Sequence, residues 1–235
     1  MKRILCIICV IMMLLLLCSC NGDSYQKANE YEPHKTSASK DSVEEFLSVL
    51  GHVEPGGLLS GCKFDEETCY NVTPPEVAAE TNMKIFKFSD SCASFVMIDN
   101  EVYPLCDFLG GYGFVNAIPC DFDNDGNKDL FVASSWGSGL HRSEISVFNS
   151  VTKESTILYD TATTDTPNTD LIVARSTASI FTDDPNVDEI LYYSVLSVKI
   201  DMENNNPATL AYDVLDVEGH IEYKDNIPKF IPFQE

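Results

Sequence analysis

Asp121-Phe122-Asp123-Asn124-Asp125-Gly126-Asn127-Lys128-Asp129-Leu130 is the stretch on which the reading of this chain turns. Carboxylates stand at positions 1, 3, 5 and 9 of the run, with Gly126 at position 6. Calcium takes six to eight oxygen ligands, and alternating side chains on a tight loop aim their oxygens at one centre. Gly126 permits a bend that a side chain would resist. Asn127, at position 7, would add its main-chain carbonyl. The expected metal is calcium and the expected ligands are Asp121, Asp123, Asp125, Asn127 and Asp129. The bland alternative is a solvated acidic turn, because Asp, Asn and Gly are ordinary turn residues. Four phased aspartates around a glycine favour the metal.

The flanks set the fold class. Gly113–Cys120 leads into the loop and Leu130–Trp136 leads out, and both read as strands. An EF-hand would place a bidentate Glu at position 12; that position is Val132, inside an apolar run. The pattern resembles the FG-GAP and VCBS-type repeats of β-propeller proteins, in which an Asp-rich loop joins two strands and holds calcium. The resemblance covers Gly113 to Trp136 and carries over to Asp121, Asp123, Asp125, Asn127 and Asp129. One repeat is evident, so the resemblance implies a partial or degenerate propeller rather than a complete one. It also implies a scaffold for adhesion or ligand binding.

Further strands are expected at Met83–Ser89, Ser94–Asp99, Val102–Leu105, Glu144–Phe148, Ser155–Tyr159, Leu171–Ser176 and Glu189–Ile200. Leu210–Leu215 and His220–Tyr223 read as a last hairpin turning at Glu218-Gly219. Short strands between turn signals mean a mainly β domain of antiparallel sheets. Phe181–Ile190 echoes the frame of the calcium loop, but its acids, Asp183, Asp184 and Asp188, lack the ligand spacing. One short N-terminal helix is expected ahead of the strands. Ser42 and Glu45 fit a capping box, Val43, Phe46, Leu47 and Leu50 follow at helical spacing, and Gly51 ends it.

The chain opens Met1-Lys2-Arg3 and continues with an apolar run, Ile4–Leu17. That is the charge and length of a secretory signal, and it is shorter than a membrane-spanning helix. It ends Leu17-Cys18-Ser19-Cys20, which resembles the bacterial lipobox. The resemblance implies cleavage before Cys20 and a diacylglycerol on its sulfur. Two acyl chains hold a protein stably at a membrane where one does not. The expected organisation is a signal peptide over 1–19, a lipidated Cys20 and flexible tether over 20–40, and a single mainly β domain over 41–235. The expected location is extracytoplasmic, anchored to a bacterial cell membrane or outer membrane.

Loss of Lys2 and Arg3 with the signal takes the formal charge from −22 to −24. A chain this acidic repels phosphate backbones and excludes nucleic acid as a partner. Export permits disulfides. Cys62 with Cys69 is the first choice, Cys92 with Cys106 a second, and Cys120 reads as a buried thiol on a strand face shared with Phe114 and Ile118.

Ser134–Ser143 holds the only Trp of the chain, a His and an Arg on a glycine-rich loop. Trp136, His141 and Arg142 are the candidate ligand-binding residues, suited to a sugar or a peptide carboxylate. The bland alternative buries the Trp and pairs the Arg with nearby acids. No Gly-x-Ser-x-Gly elbow accompanies His141, and no catalytic residue is assigned. The reading is therefore a calcium-stabilised module that binds a protein or glycan at the cell envelope. Its rivals are an envelope hydrolase using His141 and a structural subunit of an envelope complex.

Overall fold

The computed structural model describes residues 34–51, 64–106, 110–137, 139–163, 169–177, 191–203, 206–224 and 227–232. The signal segment, Cys20, the start of the tether, Cys62 and the Phe181–Ile190 echo lie outside the described residues.

Strands β2 (Cys69–Asn71), β3 (Lys84–Phe88), β4 (Ser94–Ile98) and β5 (Glu101–Cys106) pair in sequence order as one antiparallel sheet. β6 (Gly113–Cys120), β7 (Asp129–Trp136), β8 (Arg142–Phe148) and β9 (Ser155–Asp160) form a second in the same way. The third joins β10 (Asp170–Thr177), β11 (Leu191–Met202), β12 (Leu210–Lys224) and β13 (Ile227–Pro232), with β1 (His34–Lys35) added beside β12. One of the three sheets is curled into a half-barrel. Among the described residues two α-helices accompany them, α1 (Val43–Leu50) and α2 (Pro75–Glu80).

The sheets stack, and the pleat shows how. Successive side chains of a strand point to opposite faces. In β7, Leu130 and Val132 join a core with β3, β4 and β5, whereas Phe131 and Ala133 join a core with β10, β11 and β12. The second sheet is thus covered on both faces. That explains why β6 and β7 are nearly unbroken apolar runs rather than alternating ones. The far face of the first sheet is covered by α1, whose Phe46 lies flat on Phe86 at 4.1 Å between ring centroids and beside Phe88 and Phe95.

Several expectations need correcting. Ser42 forms no side-chain cap on α1; its backbone is left-handed at φ 61°. Its hydroxyl accepts instead from Lys84 Nζ at 3.0 Å, and Glu45 pairs with the same ammonium at 2.9 Å. A charged donor on β3 has outcompeted the helix's own amides for both side chains. The last hairpin is also absent at Gly219. That residue sits inside the fifteen-residue strand β12, opposite Val195 on one side and Pro232 on the other. A Cβ there would lie 2.3 Å from Ile231 O, so the glycine admits a neighbouring strand rather than making a turn. Phe114 and Cys120 do not share a core: a register shift between Phe114 and Asn116 puts Phe114 toward the first sheet, while Cys120 and Ile118 face the third.

Cys120 is a free buried thiol, as read from its strand. Cys92 and Cys106 are also buried thiols, so the bridge between them is not formed. Cys69 is free too, which removes the bridge to Cys62. Residues 34–40, counted with the tether, are laid on the body. His34 and Lys35 pair with Tyr212 and Ala211, and Lys40 Nζ donates to the carbonyls of Glu66, Glu67 and Cys69.

Between the first two sheets lies a buried ammonium. Lys87 is 1 % exposed, and its Nζ donates to Phe114 O at 3.0 Å. Burial holds its pKa down at about 8, against a partial opposing pull from the Cys92 and Cys106 thiols.

Candidate metal site

β6 and β7 are antiparallel neighbours, with Cys120 opposite Asp129 and Gly113 opposite Ser135. The residues between Cys120 and Asp129 therefore form the connection at one end of the second sheet. Two residues of left-handed backbone, Asn124 at φ 57° and Gly126 at φ 86°, fold it back on itself. Asn tolerates that region better than most side chains, and Gly enters it freely.

The fold brings Asp121, Asp123 and Asp125 together. One carboxylate oxygen from each lies within 4.8 Å of the others, a spacing at which a single divalent cation reaches all three. Asp123 and Asp125 are exposed and Asp121 is half-buried. Amides of the loop hold the carboxylates in place. Gly126 N–H donates to Asp121 at 3.2 Å, Asp125 N–H to Asp123 at 3.2 Å, and Asn149 Nδ2 to Asp123 at 3.0 Å. Asn127 donates to Asp125 from both its side chain and its main chain, which lowers the Asp125 pKa.

Asp129 takes a different role. It is 1 % exposed, outside the cluster, and accepts from Ser150 N–H at 2.6 Å and more weakly from Phe122 N–H at 3.4 Å. Burial pushes its carboxyl pKa up. It ties the loop to the β8–β9 turn. Asp129→Ala strands buried donors, and the expected loss is about 1–3 kcal/mol of unfolding free energy. Because it acts through the main chain, the same loss is expected in urea melts with and without chelator.

Trp136, His141 and Arg142 meet at the opposite end of β7. Seven strand steps separate Asp129 from Trp136, roughly 24 Å. Trp136 and Arg142 are cross-strand partners, and the guanidinium lies 5.1 Å from the indole centroid. The indole is thus already engaged by a cation on one face. His141 Nδ1 is 3.5 Å from Asp170 on β10, and the Tyr112 ring meets the imidazole edge-on at 4.8 Å. Gly110 bridges to Gly137, and a Cβ at Gly111 would lie 2.5 Å from Trp136 Cα. The lead-in to β6 is therefore pressed against this rim.

Ser135 Oγ donates to the other Asp170 oxygen at 2.6 Å in a buried contact. The acid stands between serine and histidine, and the hydroxyl hydrogen is spent on it. A serine–histidine relay needs that hydrogen directed at the imidazole, so Ser135 is not placed as a nucleophile for His141. Sequence reasoning found His141 but missed Asp170, which comes to it from β10, and Tyr112, from the segment before β6; neither leaves a local signal.

No family model, curated protein or solved structure matches the chain.

Proposed function

We propose that this chain is an exported lipoprotein, anchored through Cys20, whose β body is stabilised by calcium at the Asp121–Asp125 loop and binds a protein or glycan at the cell envelope. The observation that carries the reading is the convergence of three aspartates on a loop that joins two core strands. Calcium fits better than magnesium because the donors are all hard oxygens on an open, irregular loop, whereas magnesium demands near-ideal octahedral geometry. The carbonyl of Asn127 and water complete the shell. Two four-stranded meanders and a five-stranded sheet in which β10 to β13 also follow in order support a partial propeller, with one blade-like unit per sheet. The lipobox at Leu17–Cys20 supports the anchor, and the acidic body supports a domain that stands off anionic headgroups. The rim of Tyr112, Trp136, His141 and Arg142 supports the ligand edge, since aromatic, cationic and imidazole groups share it.

The test is thermal unfolding of the full chain in detergent, in calcium and in chelator. Calcium at a hundredfold excess over its dissociation constant is expected to add about 2.7 kcal/mol of stability. Asp123→Ala is expected to abolish the gain while leaving stability in chelator nearly unchanged. An equal gain in the variant would refute the assignment. Trp136→Ala with Arg142→Ala is the matching test of the ligand edge.

A further inference from the structure

A cavity of about 340 Å³ opens where the leading strands of the second and third sheets converge with the segment that leaves β2. That volume is at the small end of the range for organic ligands. Its apolar wall comes from Val72, Pro74, Ile118 and Ile172, and its polar rim includes Glu76 and Tyr212.

Most polar groups in the wall are already committed. The Asn116 carboxamide bonds to both Val173 main-chain groups, at 2.7 and 3.1 Å. Thr36 Oγ1 donates to Val115 O at 3.3 Å. Arg175 gives both ends of its guanidinium to Glu80 and one further bond to Pro119 O at 2.8 Å, which leaves only its buried Nε–H without a partner. Glu76 differs: among the described residues its carboxylate has no hydrogen bond or ion pair, and its nearby charge helps to raise the Tyr212 phenol. The cavity therefore offers one uncommitted negative charge, one aromatic ring and an apolar pocket.

We propose that this cavity binds a small organic ammonium, a primary amine carrying a compact apolar body. The amine would pair with Glu76 and meet the Tyr212 ring, both of which attract cations. The apolar body would displace water from the wall. The acidic chain as a whole draws such ligands in. An anionic ligand finds less: the charge of the one guanidinium in the wall is already paired with Glu80, and only its Nε–H lacks a partner. The site is separate from the aspartate loop and does not depend on it.

The experiment is titration calorimetry of the full chain in detergent and chelator, with phenethylamine, phenethyl alcohol and 3-phenylpropionate as probes. Phenethylamine is expected to bind about tenfold or more tightly than either analogue, the preference that one charge-assisted contact supplies. Glu76→Gln is expected to reduce the amine to the level of the alcohol. Ser37→Trp, at an exposed position on the rim, is expected to block all three probes without disturbing the core. Asp123→Ala is expected to change nothing. Equal binding of the three probes, full amine binding by Glu76→Gln, or loss of amine binding in Asp123→Ala would each overturn the proposal. The last result would mean that the amine was held by the aspartate loop.

Discussion

Phe46→Ala is expected to lower unfolding free energy by about 3–5 kcal/mol, the range for emptying a buried aromatic site. Phe46 is fully buried. Its ring stacks on Phe86 at an interplanar angle of 8° and touches the Phe88–Phe95 pair. An eight-residue helix is marginal alone and holds its shape through such packing. Loss of the ring is expected to loosen α1 as well as open a cavity. Urea melts of the variant, beside Glu44→Ala on the exposed face, measure this. Glu44→Ala is expected to stay within about 0.5 kcal/mol, the usual range for surface changes. A Phe46→Ala loss no larger than that would mean that α1 is not packed as described.

The second large effect is a pH dependence. Lys87 titrates near 8 when folded, against 10.5 for an ordinary lysine, because burial disfavours its charge. Between those values the unfolded chain holds a proton that the folded chain has released. Stability therefore rises with pH across that window, by about 3 kcal/mol in all. Below pH 8 the folded protein carries the full penalty of a buried ammonium. The buried thiols work in the opposite sense. Cys69 is pushed up to about 12 and Cys92 is raised, so they ionise first in the unfolded chain and favour unfolding as pH rises. Lys87→Met, which keeps an unbranched side chain one atom shorter and without the charge, isolates the lysine's share. The stability of the native chain minus that of the variant is expected to climb from pH 8 to pH 10.5. A flat difference would place the amine in contact with water. At neutral pH the variant is expected to lie close to the native chain, because it loses both the desolvated charge and the bond to Phe114 O.

The sequence reading succeeded where one residue type has one local meaning. The phased aspartates and Gly126 marked the loop, and the β-rich runs beside it marked β6 and β7. It failed where meaning depends on a distant neighbour. α2 was not among the expected elements, because six residues are too few to show a helical period; Pro75 opens it, since a proline at the first turn loses no hydrogen bond. β13, with Pro228 and Pro232, was not among the expected strands; it lies at the border of its sheet, where a missing donor is tolerated. Gly219 looked like a turn because nothing local reveals that Ile231 will pass so close. The burial of Lys87 was not expected either; it is buried because a second sheet covers that face of β3. At the candidate sites, the aspartate cluster was legible because all its members lie within five residues. The Asp170–His141 contact was not, because it joins two sheets.

The double covering of the second sheet has a kinetic side. Amide hydrogens of β7, with Phe131 and Val132 shielded on opposite faces, have no local route to solvent and exchange only when the whole body opens. Ser155 to Ile157 of β9 are exposed at the outer border of the same sheet. Their outward amides exchange through small excursions. One sheet thus carries both slowly and rapidly exchanging protons, and the aspartate loop joins its slow strand β7. A cation held there is tied to the part of the molecule that opens last.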